Sequence, residues 1–84
     1  MDENRRAPRR HVLKAGLISI GSGTITCTVR NISRSGASID AASPNDIPDE
    51  FRLVLEMETR PHLCTVVWRK EKQIGVTFIH EHYP

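Results

Sequence analysis

A six-stranded antiparallel β-barrel is the fold class this sequence predicts, and three observations predict it. Apolar and polar residues alternate along several short stretches. No window repeats its apolar residues at the helical period, and turn formers bound each stretch. Six strands laid out as one open sheet would leave an apolar face wet and two edges unpaired, whereas closure removes both problems. The 84 residues allow a single domain with a modest core and no room for a large buried active site.

The elements follow in order. Residues 1–10 carry no apolar pattern, and Pro8 biases Ala7 away from helical backbone, so this segment is expected to be a flexible basic arm without an apolar anchor. The barrel is expected over residues 11–79. "HVLKAGLISI" opens it and stops at the turn "GSG". "TITCTVRN" alternates cleanly, with Ile25, Cys27 and Val29 on one face and Thr24, Thr26, Thr28 and Arg30 on the other. "NISRSG" reads as a loop of turn formers, and "ASIDA" resumes the alternation with Ala37, Ile39 and Ala41 inward. "ASPNDIPDE", with two prolines, is the longest irregular stretch. "FRLVLEME" places Phe51, Leu53, Leu55 and Met57 on one face, "LCTVVWRK" places Cys64, Val66 and Trp68 on one side, and "IGVTFI" closes with Ile74, Val76 and Phe78 inward. Residues 80–84 form a short tail. Cys27, Val29, Ile39, Leu53, Leu55, Val66, Val76 and Phe78 are the expected core.

Charge is distributed unevenly. The net charge is +2, yet five of the twelve basic residues fall in the first fourteen positions. From Ala15 onward seven basic residues face eight acidic ones, so the basic signal belongs to the arm. Such an arm suits a compact anionic ligand or a nucleic-acid backbone. No apolar run approaches the ~20 residues needed to cross a bilayer as a helix, and the charged N-terminus has no apolar segment behind it, unlike a secretory signal. Cys27 and Cys64 lie within apolar alternation and outside any CxxC pair. They read as buried thiols of a cytoplasmic protein, with a disulfide between them as the alternative.

Catalytic patterns are absent. Asp46, Asp49 and Glu50 share one loop, but no apolar surroundings would drive their pKa values apart as acid–base catalysis requires. Ser33 and Ser35 lack a GxSxG setting. His80 and His82 flank Glu81 and would face one way on a strand, but a third zinc ligand could come only from His11 or His62, at no recognisable spacing. "GSG" is a hairpin turn and not a phosphate loop, since no helix follows it. The expectation is a binding domain, with no enzyme activity, metal or cofactor.

The arginine arm carries the binding signal. "RRAPRR" spaces Arg5 from Arg9, and Arg6 from Arg10, by four residues. In extended chain such a pair faces one way at a separation of roughly 13 Å, and two forks can converge on one ligand with two phosphates or grip guanine edges. In "NISRSG", Asn31 offers a donor and an acceptor to a base edge and Ser33 a hydroxyl. Gly36 allows positive φ and leaves room for a planar ring. As a bare motif this is also what a plain inter-strand loop contains.

Together the two stretches resemble the RxxxR and [D/N]xSxxG elements of PilZ domains, and "VVWRKEKQIGVTF" looks like that family's final hairpin. The resemblance runs from Asn4 to Phe78, with the motifs in the right order and one hairpin between them. It implies a PilZ-like six-stranded barrel that binds the bacterial second messenger cyclic di-GMP. Carried over, Arg5 and Arg9 grip phosphate and guanine from opposite sides, Asn31 reads a guanine edge, Ser33 reaches phosphate or base, and Gly36 gives the ring access. Pro8 before Arg9 favours this register, while Arg6 and Arg10 also fit RxxxR. In the first register Asn4 stands where some members carry an arginine linked to binding a stacked pair of ligands. Without the longer C-terminal helix of many members and without an attached effector domain, the chain is expected to be a stand-alone adaptor whose closed arm is read by a partner protein.

The energetics of the arm are finely balanced. Ordering six residues costs roughly 6–12 kcal/mol, and charge-assisted hydrogen bonds return about 1.5–3 kcal/mol each. Several must form together. The alternative is a small barrel that binds RNA or single-stranded DNA along the arm. Such barrels display aromatic residues on an open face, and Phe51, Trp68 and Phe78 are expected inside. A barrel that has lost ligand binding is the third reading, and the intact motif residues argue against it.

Overall fold

The computed structural model describes residues 10–21 and 23–79. Six strands close into an antiparallel barrel: β1 (Arg10–Ser19), β2 (Thr24–Ile32), β3 (Gly36–Asp40), β4 (Glu50–Leu55), β5 (His62–Lys70) and β6 (Gln73–Phe78). Around the barrel the order is β1-β2-β3-β6-β5-β4, with β4 returning to β1 through Gly16↔Leu55 to Ser19↔Arg52. The arm over residues 1–9, with Arg5, Arg6 and Arg9, and the tail with His80, Glu81 and His82, lie outside the described residues.

Alternation builds the core. Every strand places one side chain entirely out of solvent: Ile18, Val29, Ile39, Leu53, Cys64 and Ile74. Cys27, Leu55, Phe51 and Val76 complete the interior. Val66 and Phe78, expected in the core, are only half-buried and pack against it from one side. Phe78 stacks on the His62 ring, with centroids 4.9 Å apart. Both cysteines are buried free thiols, and burial pushes Cys27 up to about 11 and Cys64 up to about 12.

The irregular stretch after β3 closes the barrel pole formed by the β1–β2 and β5–β6 hairpins. A single 3-10 turn, Pro44–Asp46, carries Pro44 inward beside Ala41 and Ile47. Arg69 staples this stretch to β5. Its Nη1 donates to the Pro44 carbonyl and, at 2.8 Å, to the Ile47 carbonyl, while Nη2 meets Asp49 Oδ1 at 2.9 Å. One guanidinium thus satisfies carbonyls that the proline-broken backbone leaves without a ladder.

Two inward assignments are corrected by the structure. Met57 is 95% exposed, because β4 ends at Leu55 and Met57 sits in the following turn at φ 68°. Trp68 is 41% exposed. The β5–β6 register runs Val66↔Val76 and then Trp68↔Gly75, so Val67 is an extra residue that turns the alternation over. Gly75 is the counterpart of this change. A Cβ there would collide with the indole, so the Trp68 ring lies against the bare Gly75 backbone.

Candidate ligand-binding site

The segment read as one loop is mostly strand. Asn31 and Ile32 belong to β2 and Gly36 to β3, leaving a tight turn at Ser33–Ser35. Ser33 organises it. Its amide donates to the Gly36 carbonyl at 2.9 Å, and its Oγ accepts from the amides of Ser35 at 3.2 Å and Gly36 at 3.3 Å. This hydroxyl holds the turn, a local serine role the sequence pattern allows but does not single out. Arg34 is exposed at the tip.

Gly36 does not adopt the positive φ that a glycine allows, and the structure places a different constraint on it. Positive φ among the described glycines is confined to Gly21, so Gly36 is not a left-handed residue. A Cβ on Gly36 would instead run into the Val76 carbonyl oxygen of β6, where Gly36 pairs with Thr77. The glycine permits close approach of β3 to β6.

Asn31 is aimed by a bulge. On the β3 side the register passes from Val29↔Ile39 to Asn31↔Ser38, so Arg30 is an extra residue on β2. On the β1 side it passes from His11↔Asn31 to Lys14↔Val29, so Val12 and Leu13 together face Arg30. Strict alternation after Val29 would turn Asn31 toward the core. The bulge instead lets Arg30 and Asn31, adjacent in sequence, line one cleft of about 320 Å³ with His11, Val12, Leu13 and Gln73. Ile32 then resumes contact with the core. Arg30 was read only as an outward strand residue, and period-2 reading gives no signal of a bulge. Arg30 Nη1 bonds Asp40 Oδ2 at 3.2 Å, and Asp40 Oδ1 accepts from Gln73 Nε2 at 2.9 Å.

Register also gathers the other elements. His11, Asn31, Ser38, Gly75 and Trp68 form one row across β1, β2, β3, β6 and β5. Arg10, the last arginine of "RRAPRR", is the first residue of β1 and pairs with Ile32, which pairs with Ala37. The Phe78 amide at the end of β6 donates to Ser35 O at 2.9 Å. The start of β1, the Ser33–Ser35 turn and the end of β6 therefore share one pole of the barrel. Among the described residues, no three His, Cys, Asp or Glu side chains converge as metal ligands would, and no helix is long and apolar enough to cross a membrane.

These features define a small closed β-barrel with a polar cleft near the pole where β1 begins. The chain belongs to the PilZ domain family, whose model matches residues 3–82, nearly its whole length. PilZ domains form a cyclic di-GMP-binding family of binding and adaptor domains. No curated protein matches the chain.

Proposed function

We propose that this domain is a cyclic di-GMP receptor in which the arginine arm and the Asn31–Gly36 segment are the two jaws of a clamp. The observation that carries the reading is the pairing of Arg10 with Ile32, which brings the end of the arm onto the strand next to the motif. Neighbouring strands lie about 4.8 Å apart, so the arm enters within reach of the cleft. That cleft, of about 320 Å³, is at the low end of the ~300–1,000 Å³ typical of ligand pockets. It suits part of a dinucleotide, and the arm covers the remainder. Arg5 and Arg9, or Arg6 and Arg10, grip phosphate and guanine, while Asn31 reads a base edge. Ser33 keeps the turn in shape beside the ligand, and Trp68, exposed on the same row, offers a face for a guanine.

The closed arm changes the surface at this pole, and a partner protein in the cytoplasm reads that change. The protein acts as an adaptor and not as an enzyme. RNA or single-stranded DNA is the competing ligand. Trp68 is a stacking face that this alternative can also claim, but Phe51 is buried and Phe78 lies under His62. Among the described residues that leaves one platform where a strand-binding groove uses several.

Calorimetric titration with cyclic di-GMP, with GTP and a short RNA as controls, tests the reading on wild type and three variants. Arg9→Ala and Asn31→Ala should each weaken binding by about 2 kcal/mol, roughly thirtyfold, and Arg52→Ala should leave it unchanged. Equal losses for Arg9→Ala and Arg52→Ala, with Asn31→Ala unaffected and RNA bound more tightly, would mean that the clamp does not exist.

A further inference from the structure

Arg30 stands where both irregularities of β2 meet. It is the residue that the bulge adds opposite β3, and Val12 and Leu13 face it on β1. Its side chain is 51% exposed, and it lines the cleft directly beside Asn31. A guanidinium carries five N–H donors in a planar fork. The Arg30 fork spends Nη1 on Asp40 Oδ2, and among the described residues Nε and Nη2 have no partner. Asp40 is itself braced, because its other oxygen is held by Gln73 from β6. Three strands thus contribute to one short chain of contacts: Arg30 on β2, Asp40 on β3 and Gln73 on β6.

An ordinary surface arginine loses much of its side-chain entropy when it grips an anion. Arg30 has surrendered part of it already, through a contact that occupies one corner of the fork and leaves the rest open. The bulge matters equally. Without the extra residue, Arg30 and Asn31 would point to opposite faces. With it, a charged donor fork and an amide sit side by side, the combination needed to take a phosphate and a base edge of one nucleotide at once. We propose that Arg30 is a ligand-contacting residue supplied by the barrel, binding a phosphate of the dinucleotide next to the guanine read by Asn31, and that Asp40 is its positioning residue. This rests on the cyclic di-GMP reading above and adds to the arm's pair a third arginine, supplied from a second source.

The test is a double-mutant cycle on cyclic di-GMP binding by the full chain, read by calorimetry, with the unfolding midpoint of each unliganded variant recorded. Arg30→Ala should weaken binding about tenfold or more, and Arg30→Lys, which keeps the charge without the fork, should recover only part of it. Asp40→Ala should weaken binding about threefold in the wild-type background and not at all in the Arg30→Ala background, while Asp40→Asn, whose single amide oxygen replaces only one of the two acceptor oxygens and carries no charge, should fall between Asp40→Ala and wild type. An effect exerted through the fold would instead follow the unfolding midpoints and would be additive in the cycle. If Arg30→Ala and Arg30→Lys both bind as wild type while Asn31→Ala does not, the role of Arg30 is overturned and the clamp stands. If Asp40→Ala costs the same in both backgrounds, Asp40 does not act through Arg30. Absence of binding by the wild-type protein overturns both the clamp and this inference.

Discussion

Gly36→Ala separates two explanations of the same glycine. If Gly36 serves only to admit a planar ring, the substitution blocks ligand and leaves the barrel intact. The structure predicts a different result. The added methyl would be driven into the Val76 carbonyl oxygen, an atom held in the β3–β6 ladder, and its next neighbour is the Thr77 Cα at 3.2 Å. Neither is the movable end of a side chain, so the two strands must part. Overpacking of this kind costs about 1–3 kcal/mol. Separation also weakens the Phe78 N to Ser35 O bond of 2.9 Å, worth about 1 kcal/mol. The total is about 2–4 kcal/mol, against the ~5–15 kcal/mol that holds a domain together. With a urea m-value of about 1–3 kcal/mol/M, the midpoint should fall by at least about 0.7 M, and the thermal midpoint by at least about 8 °C. Circular dichroism during urea unfolding measures the first. Gly23→Ala is the control, because a Cβ at Gly23 meets nothing within 4 Å, and its stability should change by no more than about 0.5 kcal/mol. A Gly36→Ala midpoint equal to that of Gly23→Ala refutes the argument from the Val76 carbonyl.

Other substitutions probe other parts of the molecule. Trp68→Ala should leave the fold in place, since the indole packs outside the barrel, and should weaken cyclic di-GMP binding by about 1–3 kcal/mol, the value of one base stack; unchanged calorimetric affinity removes Trp68 from the site. Arg69→Ala removes the side-chain donor from the Ile47 carbonyl and leaves the Pro44 carbonyl with the Ile47 amide alone. It should cost about 1–3 kcal/mol and speed amide hydrogen exchange within residues 41–49, leaving rates in β2 unchanged. The thiols make stability depend on alkaline pH. Burial raises Cys27 to about 11 and Cys64 to about 12, the latter also through repulsion from Cys27, so the folded state holds both protons longer than the unfolded chain. Their contribution is therefore full below the unfolded thiol pKa of about 8.5 and is lost as pH rises toward 11 and 12. Urea midpoints of the wild type should decline more steeply across that window than those of a Cys27→Ala, Cys64→Ala double variant, and parallel slopes would sink the assignment.

Alternation legible in the sequence located most of the core. Val29, Ile39, Leu53 and Ile74 are all wholly buried where period 2 puts them. It failed at Trp68 because Val67 adds one residue between two paired positions, and a single added residue reverses every face beyond it. Nothing in "TVVWR" marks the bulge, since Val67 suits either side of a sheet. Met57 failed for a simpler reason: the strand stops before the alternation does. In the candidate site the sequence offers residue types but not their geometry. "NISRSG" points to Asn31 and Ser33, but a serine that braces its own turn and one that reaches outward look the same in sequence. Arg30 carries no mark in the sequence, because its place beside Asn31 comes from register shifts among three strands.

The shared pole has a practical meaning for anything tethered to this domain. The polypeptide enters the barrel at Arg10, beside Ile32, and its last strand ends at Phe78, whose amide touches Ser35. A fluorophore or a fused domain attached close to either end is thus anchored at the rim that carries the proposed clamp, whereas the 41–49 stretch, stapled by Arg69, lies toward the pole of the β1–β2 and β5–β6 hairpins. Labels near the two ends should report ligand capture directly, and one placed on Asn45 should stay silent. In mechanical terms the barrel is a rigid spacer with all of its leads at one end, so a signal need not cross the core to leave it.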